Sequence, residues 1–257
     1  MFFRNESFQD FIKFYPIVSS IIAIQVIVWL LMFLQTSIGI TAYNLGIGSN
    51  FAISQGEYWR FVTPIFLHDW QGIGHLLFNS FALILFGPAL EHMLGKLKFI
   101  MVYLGSGIAG NIFTYLVDTE LTQFHLGASG AIYGLLGLLI YMVYFTPKWV
   151  DPASRQIIFV FVVIGLIMTF LRPGINEAAH LFGFIGGFAF GPLVTMNMTP
   201  YYIRRSVRKP RKTAGGVQFD PNRWNKKRFR VSRNTSSIIW WIILILAVLG
   251  ILSGIVL

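Results

Sequence analysis

Apolar stretches long enough to cross a lipid bilayer recur along this chain of 257 residues, and no other feature constrains its fold as strongly. A spanning helix needs about 20 mostly apolar residues. Seven runs meet or approach that length: Pro16–Leu34, Ile73–Leu90, Leu97–Val117, Leu126–Tyr144, Ile157–Leu171, Ala178–Thr195 and Ile238–Leu257. Lipid offers no hydrogen bonds, so each run must satisfy its own backbone as a helix. The expected fold is all-α, a polytopic membrane helical bundle. Composition agrees: 55% of residues are hydrophobic and 12% charged, half the roughly 25% charge of a soluble domain. A soluble enzyme, a disordered chain and a fibre are excluded. The absence of cysteine removes disulfides, thiolate metal sites and cysteine nucleophiles. The fifth run is short, and glycines interrupt the fourth and sixth. Lipid-facing helices have little use for glycine, so a site is expected among these weaker spans.

Lysine and arginine set the expected orientation. The first run lacks a clear small-residue cleavage site and is read as a retained span. With the N-terminus in the cytoplasm, the inner segments hold Arg4, Lys13, Lys96, Lys98, Lys148, Arg155 and all twelve basic residues from Arg204 to Arg233. The outer segments hold only Arg60 and Arg172. Eighteen against two puts residues 1–15 inside, residues 197–237 inside as a basic linker, and the end of a seventh helix, 238–257, outside a cell membrane. The linker has two readings, a grip on anionic lipid headgroups and a nucleic-acid tail. Its tether to two spans favours lipid, and no nucleic-acid partner is expected. The outer stretch Gly39–Gly72 carries Tyr58, Trp59 and Trp70, which favour the headgroup region.

Polar side chains inside spans are costly and point to function. Here they are His75 and Asn79 in the second run, Glu91 and His92 at its inner end, Ser129 in the fourth and His180 in the sixth. Those three runs enter from the outer face. His75, Ser129 and His180 each fall within about a turn of their starts, and Asn79 lies about 6 Å deeper on the face of His75. A serine becomes a nucleophile when a base takes its proton, and histidine is the usual base. Ser129 stands in Gly127-Ala128-Ser129-Gly130 near a helix start, whose free N–H groups favour developing negative charge. Ala179, Gly183 and Gly187 form a small-residue stripe, and Gly130 and Gly134 offer a matching strip. Packing of the two would bring Ser129 to His180. No acidic residue lies at that depth, so a dyad is expected, with Tyr133 packing against or orienting the imidazole. His75 and Asn79 can donate to an oxyanion beside the Ser129 N–H. A metal is a rival use for the histidines, but H-E-x-x-H spacing is absent and no carboxylate accompanies them, so no metal or other cofactor is expected. His68 and His125 read as interfacial loop residues.

These motifs resemble the rhomboid family of intramembrane serine proteases over about Pro16 to Thr195. Trp59-Arg60, His75-x-x-x-Asn79, Glu91, Gly127-x-Ser129-Gly130 with Tyr133, and Ala179-His180-x-x-Gly183-x-x-x-Gly187 occur in the family's order. The resemblance implies a six-helix catalytic core over residues 16–196, with a seventh span added. It implies Ser129 as nucleophile, His180 as base and then acid, and His75, Asn79 and the Ser129 amide as the oxyanion site. Trp59 and Arg60 would anchor the outer loop, and Glu91 would be a structural hydrogen-bonding partner. Substrates would be single-span membrane proteins cut at or near the outer end of their helix. A non-catalytic adaptor or chaperone that binds membrane helices on the same bundle is the alternative. A transporter is disfavoured, because the polar groups cluster at one end and no inverted repeat is evident.

Overall fold

A computed structural model of the chain describes residue 2 and residues 6–201. The seventh apolar run and the basic segment beyond Tyr201 lie outside the described residues. A short helix α1 (Phe8–Phe14) leads into α2 (Pro16–Phe33). Next come α3 (Ser37–Gly46), β1 (Gly48–Ser49), α4 (Asn50–Ser54) and 3₁₀ turns over Tyr58–Phe61 and Thr63–Phe66. The rest of the bundle is α5 (Ile73–Leu94), α6 (Lys96–Val117), β2 (Phe124–His125), α7 (Ser129–Phe145), α8 (Pro152–Leu171) and α9 (Glu177–Val194). The two short strands pair antiparallel, Gly48 opposite His125. Helices α2, α5, α6, α8 and α9 are long and apolar enough to cross a membrane, and α7 is a shorter apolar helix. The chain is a multi-pass membrane protein.

Three boundaries differ from the sequence expectation by more than one residue. The fifth run is a full 20-residue helix, because Asp151 caps it (Ser154 N–H donates to Oδ1, 3.0 Å) and Pro152 stands at its first position. Helix α5 continues to Leu94 and stops at Gly95, whose φ of +80° leaves the helical region. Helix α7 begins at Ser129, not Leu126. Gly127 has φ +124° and donates its N–H to Pro64 O at 2.9 Å, outside any helix.

Alternation of the spans puts the starts of α5, α7 and α9 at one end of the bundle, with the α3–β1–α4 segment. Side chains from distant segments close the helix ends. The Glu91 carboxylate accepts from Ile17 N–H (3.0 Å) and Val18 N–H (2.9 Å), capping α2. Lys98 Nζ donates to Val194 O (3.1 Å) and Met196 O (2.6 Å) at the close of α9. At the other end α3 finishes on carbonyls taken by two residues of the first 3₁₀ turn and one of the second. Arg60 donates to Asn44 O (3.1 Å) and Ile47 O (2.6 Å), Trp59 Nε1 to Leu45 O (3.0 Å), and Thr63 Oγ1 to Gly46 O (2.7 Å). Glu57 pairs with the same Arg60 (Nε to Oε2, 2.7 Å).

Helix α7 forms the centre, with Leu135, Leu138, Leu139 and Met142 fully buried. Its approach to α9 is backbone to backbone: a methyl group added at Gly183 would land on Gly130 O, and one at Gly187 on Gly134 O. Gly187→Val is therefore expected to destabilise the bundle by at least about 2 kcal/mol. Gly72→Ala, whose methyl meets nothing within 4 Å, should be neutral. Equilibrium unfolding in mixed micelles compares the two, and equal midpoints would refute the contact.

Candidate active site

Ser129 is the first residue of α7, and no side chain caps that end. Its N-terminal N–H groups stay open on the side where the serine stands. Gly127 lies between two polar groups: a methyl there would come within 2.6 Å of His75 Nε2 and 3.8 Å of Ser129 Oγ. The absent Cβ leaves room for both side chains. His75 lies in the first turn of α5, and Asn79 one turn on donates Nδ2–H to His75 O at 2.9 Å. Asn79 is buried, while His75 and Ser129 are half-buried.

His180 enters from α9. Asn176 caps that helix, accepting from Ala179 N–H at 2.9 Å. The contact of α7 with α9 sets Gly130, next to Ser129, against Ala179, next to His180, at 3.2 Å to Ala179 O from a methyl at Gly130. The His180 ring stacks on Tyr133, centroids 4.1 Å apart and planes 15° off parallel. Its Nδ1 lies 2.8 Å from Thr169 Oγ1 on α8, and Tyr133 OH lies 2.9 Å from the same oxygen. Thr169 has no signature in the sequence, where it reads as one more apolar-run threonine.

His68 and His125 lie in the segments between spans, as expected, but packed inside the protein. Both are buried, and neither ring has a hydrogen-bond partner. His68 packs edge-on against His75 at 5.0 Å, and burial, then the His75 charge, hold its pKa down to about 3. His125 sits in β2 with its ring directly on Gly48. Burial lowers its pKa to about 4, only partly offset by Asp118. Asp118 in turn accepts from Asn50 Nδ2 and from Gln123 N–H, each at 2.8 Å, which ties the approach to Ser129 to the start of α4.

The bundle, the serine at an open helix start and the histidine stacked on tyrosine across a glycine contact define a class of intramembrane helical protein with a polar site at one end. The rhomboid-domain family profile matches residues 55–197. The rhomboid-type protein YdcA of Bacillus subtilis is 45% identical over 188 residues, 73% of this chain and 93% of its own. Rhomboid protease GluP of the same species is 39% identical over 148 residues, 58% of this chain and 28% of its own. Rhomboid-type serine protease 2 of Emericella nidulans is 28% identical over 227 residues, 78% of this chain and 43% of its own. The chain belongs to the rhomboid family, and its class is that of the rhomboid-type intramembrane serine proteases.

The buried neutral His125 carries a pH consequence. Its folded pKa of about 4 lies below the ordinary 6.5, so its contribution is fully present above pH 6.5 and is lost as pH falls toward 4, because only the unfolded chain takes the proton. At pH 5 the loss is about 2 kcal/mol. Between pH 6.5 and 4 the fall in stability should be shallower in His125→Phe than in the wild type. Parallel slopes would rule out this residue as a source of acid sensitivity.

Proposed function

We propose that Ser129 and His180 form the dyad with which this protease hydrolyses peptide bonds at or near the outer end of single-span substrate helices. Ser129 Oγ attacks the scissile carbonyl while His180 takes its proton. The carbonyl oxygen becomes an oxyanion, received by the Ser129 N–H, His75 and Asn79. A good donor in such a site contributes about 3 kcal/mol. Collapse breaks the C–N bond, and His180 hands the proton to the leaving amine. Water, deprotonated by the same imidazole, then attacks the acyl-Ser129 ester, the ester C–O bond breaks, and His180 returns the proton to Ser129 Oγ.

The carrying observation is the junction at the start of α7. Ser129 opens an uncapped helix, His75 Nε2 and Ser129 Oγ flank Gly127, and the Gly130–Ala179 contact draws the start of α9 alongside. Asn79 Nδ2 has a second hydrogen besides the one on His75 O, which is the donor this reading uses. Tyr133 supports the imidazole by stacking. Gly127, Gly130, Gly183 and Gly187 keep the backbones close, and Trp59, Arg60 and Glu91 hold helix ends.

On the charge count, the N-terminus is cytoplasmic, the site opens toward the outer face of a cell membrane, and a seventh span returns the C-terminus outside. The basic residues from Arg204 to Arg233 then lie on anionic lipid headgroups.

The test needs no known substrate. A fluorophosphonate probe should add one adduct to the purified wild-type protein, none to Ser129→Ala and at least about 100-fold less to His180→Ala. Cleavage of a helical membrane substrate should vanish in Ser129→Ala while that variant still folds. Adducts or product persisting in Ser129→Ala would end the dyad reading, and helix binding without product in the wild type would favour the adaptor.

A further inference from the structure

Thr169 Oγ1 has three polar neighbours at hydrogen-bond distance: Gly165 O at 2.8 Å, Tyr133 OH at 2.9 Å and His180 Nδ1 at 2.8 Å. A threonine hydroxyl owns one hydrogen and two lone pairs. Gly165 O can only accept, so the hydrogen goes there. The two lone pairs remain for the other neighbours, and each of these must donate. Tyr133 gives its phenolic hydrogen, and His180 must carry a hydrogen on Nδ1. All three bonds form together only with that protonation. In a neutral imidazole the other nitrogen, Nε2, then holds the lone pair.

We infer that Thr169 is a positioning residue that fixes His180 in the Nδ1–H tautomer and so reserves Nε2 as the basic nitrogen facing the nucleophile. The inference rests on the reading of His180 as the base. It gives that base what a triad carboxylate supplies, an acceptor behind the ring, but with a neutral oxygen whose own hydrogen is committed to backbone. A neutral acceptor avoids an isolated charge among apolar spans, where a carboxylate would be costly.

The seat is built for this arrangement. Gly165 and Thr169 stand one turn apart on the same face of α8. A methyl at Gly165 would come within 2.7 Å of Tyr133 OH, so the glycine leaves the phenol room to reach Thr169. Thr169 is buried at 1% exposure, on the same inward face of α8 as the buried Ile158 and Val162. Tyr133 then acts twice on the imidazole, through its ring face and through the shared hydroxyl.

The experiment uses the full chain in detergent micelles with ¹⁵N-labelled histidine. His180 is assigned by its loss in His180→Ala, and its ring nitrogens report the tautomer directly. The wild type should show Nδ1 protonated and Nε2 bare at neutral pH, and Thr169→Ser should match it. Thr169→Val, of equal shape without the acceptor, should lose the single-tautomer signature and react with fluorophosphonate at least about tenfold more slowly. For a helical membrane substrate the fall should appear in kcat and leave KM unchanged. An Nε2–H tautomer in the wild type overturns the assignment even if no variant folds. So does a Thr169→Val protein with wild-type tautomer and rate. A wild type with the Nδ1–H tautomer but no Ser129 adduct retires the dyad and leaves the Thr169 assignment standing.

Discussion

A membrane-spanning chain cannot leave backbone polar groups to the solvent, because over most of its length there is none. That constraint explains why so few polar side chains serve so many purposes here. Helix interiors satisfy themselves, but each helix end leaves up to four N–H or C=O groups open. Soluble helices hand these to water. In this bundle they go to side chains from other elements: Glu91 to the start of α2, Lys98 to the end of α9, and Arg60, Trp59 and Thr63 to the end of α3. The Arg60 guanidinium and the Lys98 ammonium each hold two carbonyls at once.

The starts of α5, α6 and α7 have no side-chain cap, and at α7 the open end carries a serine. Gly127 bends the approach to α7 so that its own N–H bonds Pro64 O instead of extending the helix. Open N–H groups beside a hydroxyl are a cost in the resting fold and an asset where negative charge develops. The glycine contact between α7 and α9 makes the site possible in a second way. With backbones touching, Ser129 and His180 each stand next to a residue of the contact, Gly130 on α7 and Ala179 on α9.

Much of this was legible in the sequence, for identifiable reasons. Span positions follow from hydrophobic length, and the glycine strips follow from four-residue spacing, which depends only on helical geometry. Boundaries were less readable. The start of α8 depends on a cap at Asp151 ahead of the apolar run, and the start of α7 on a positive φ at Gly127. Glu91 could be singled out, but not the N–H groups 73 and 74 residues away that it holds. His68 and His125 lie between apolar runs, where burial of their rings has no signature. The sequence carries no sign that β1 lays Gly48 on the His125 ring or that His68 packs on His75. Thr169 was unreadable for a further reason: a threonine within a span ordinarily bonds the carbonyl four residues back, as this one also does with Gly165 O.

That local bond is what makes the distant ones informative. A threonine hydroxyl free to turn could donate to His180 or accept from it, and the ring's protonation would be undetermined. Once its hydrogen is held by Gly165 O, the oxygen has only acceptor capacity left, and proton direction propagates from backbone to threonine to imidazole. The polarity of the site is thus set by a helix carbonyl, a group whose orientation the fold guarantees. In an apolar interior that is a more economical reference than a buried carboxylate, which would need its own charge compensated before it could orient anything.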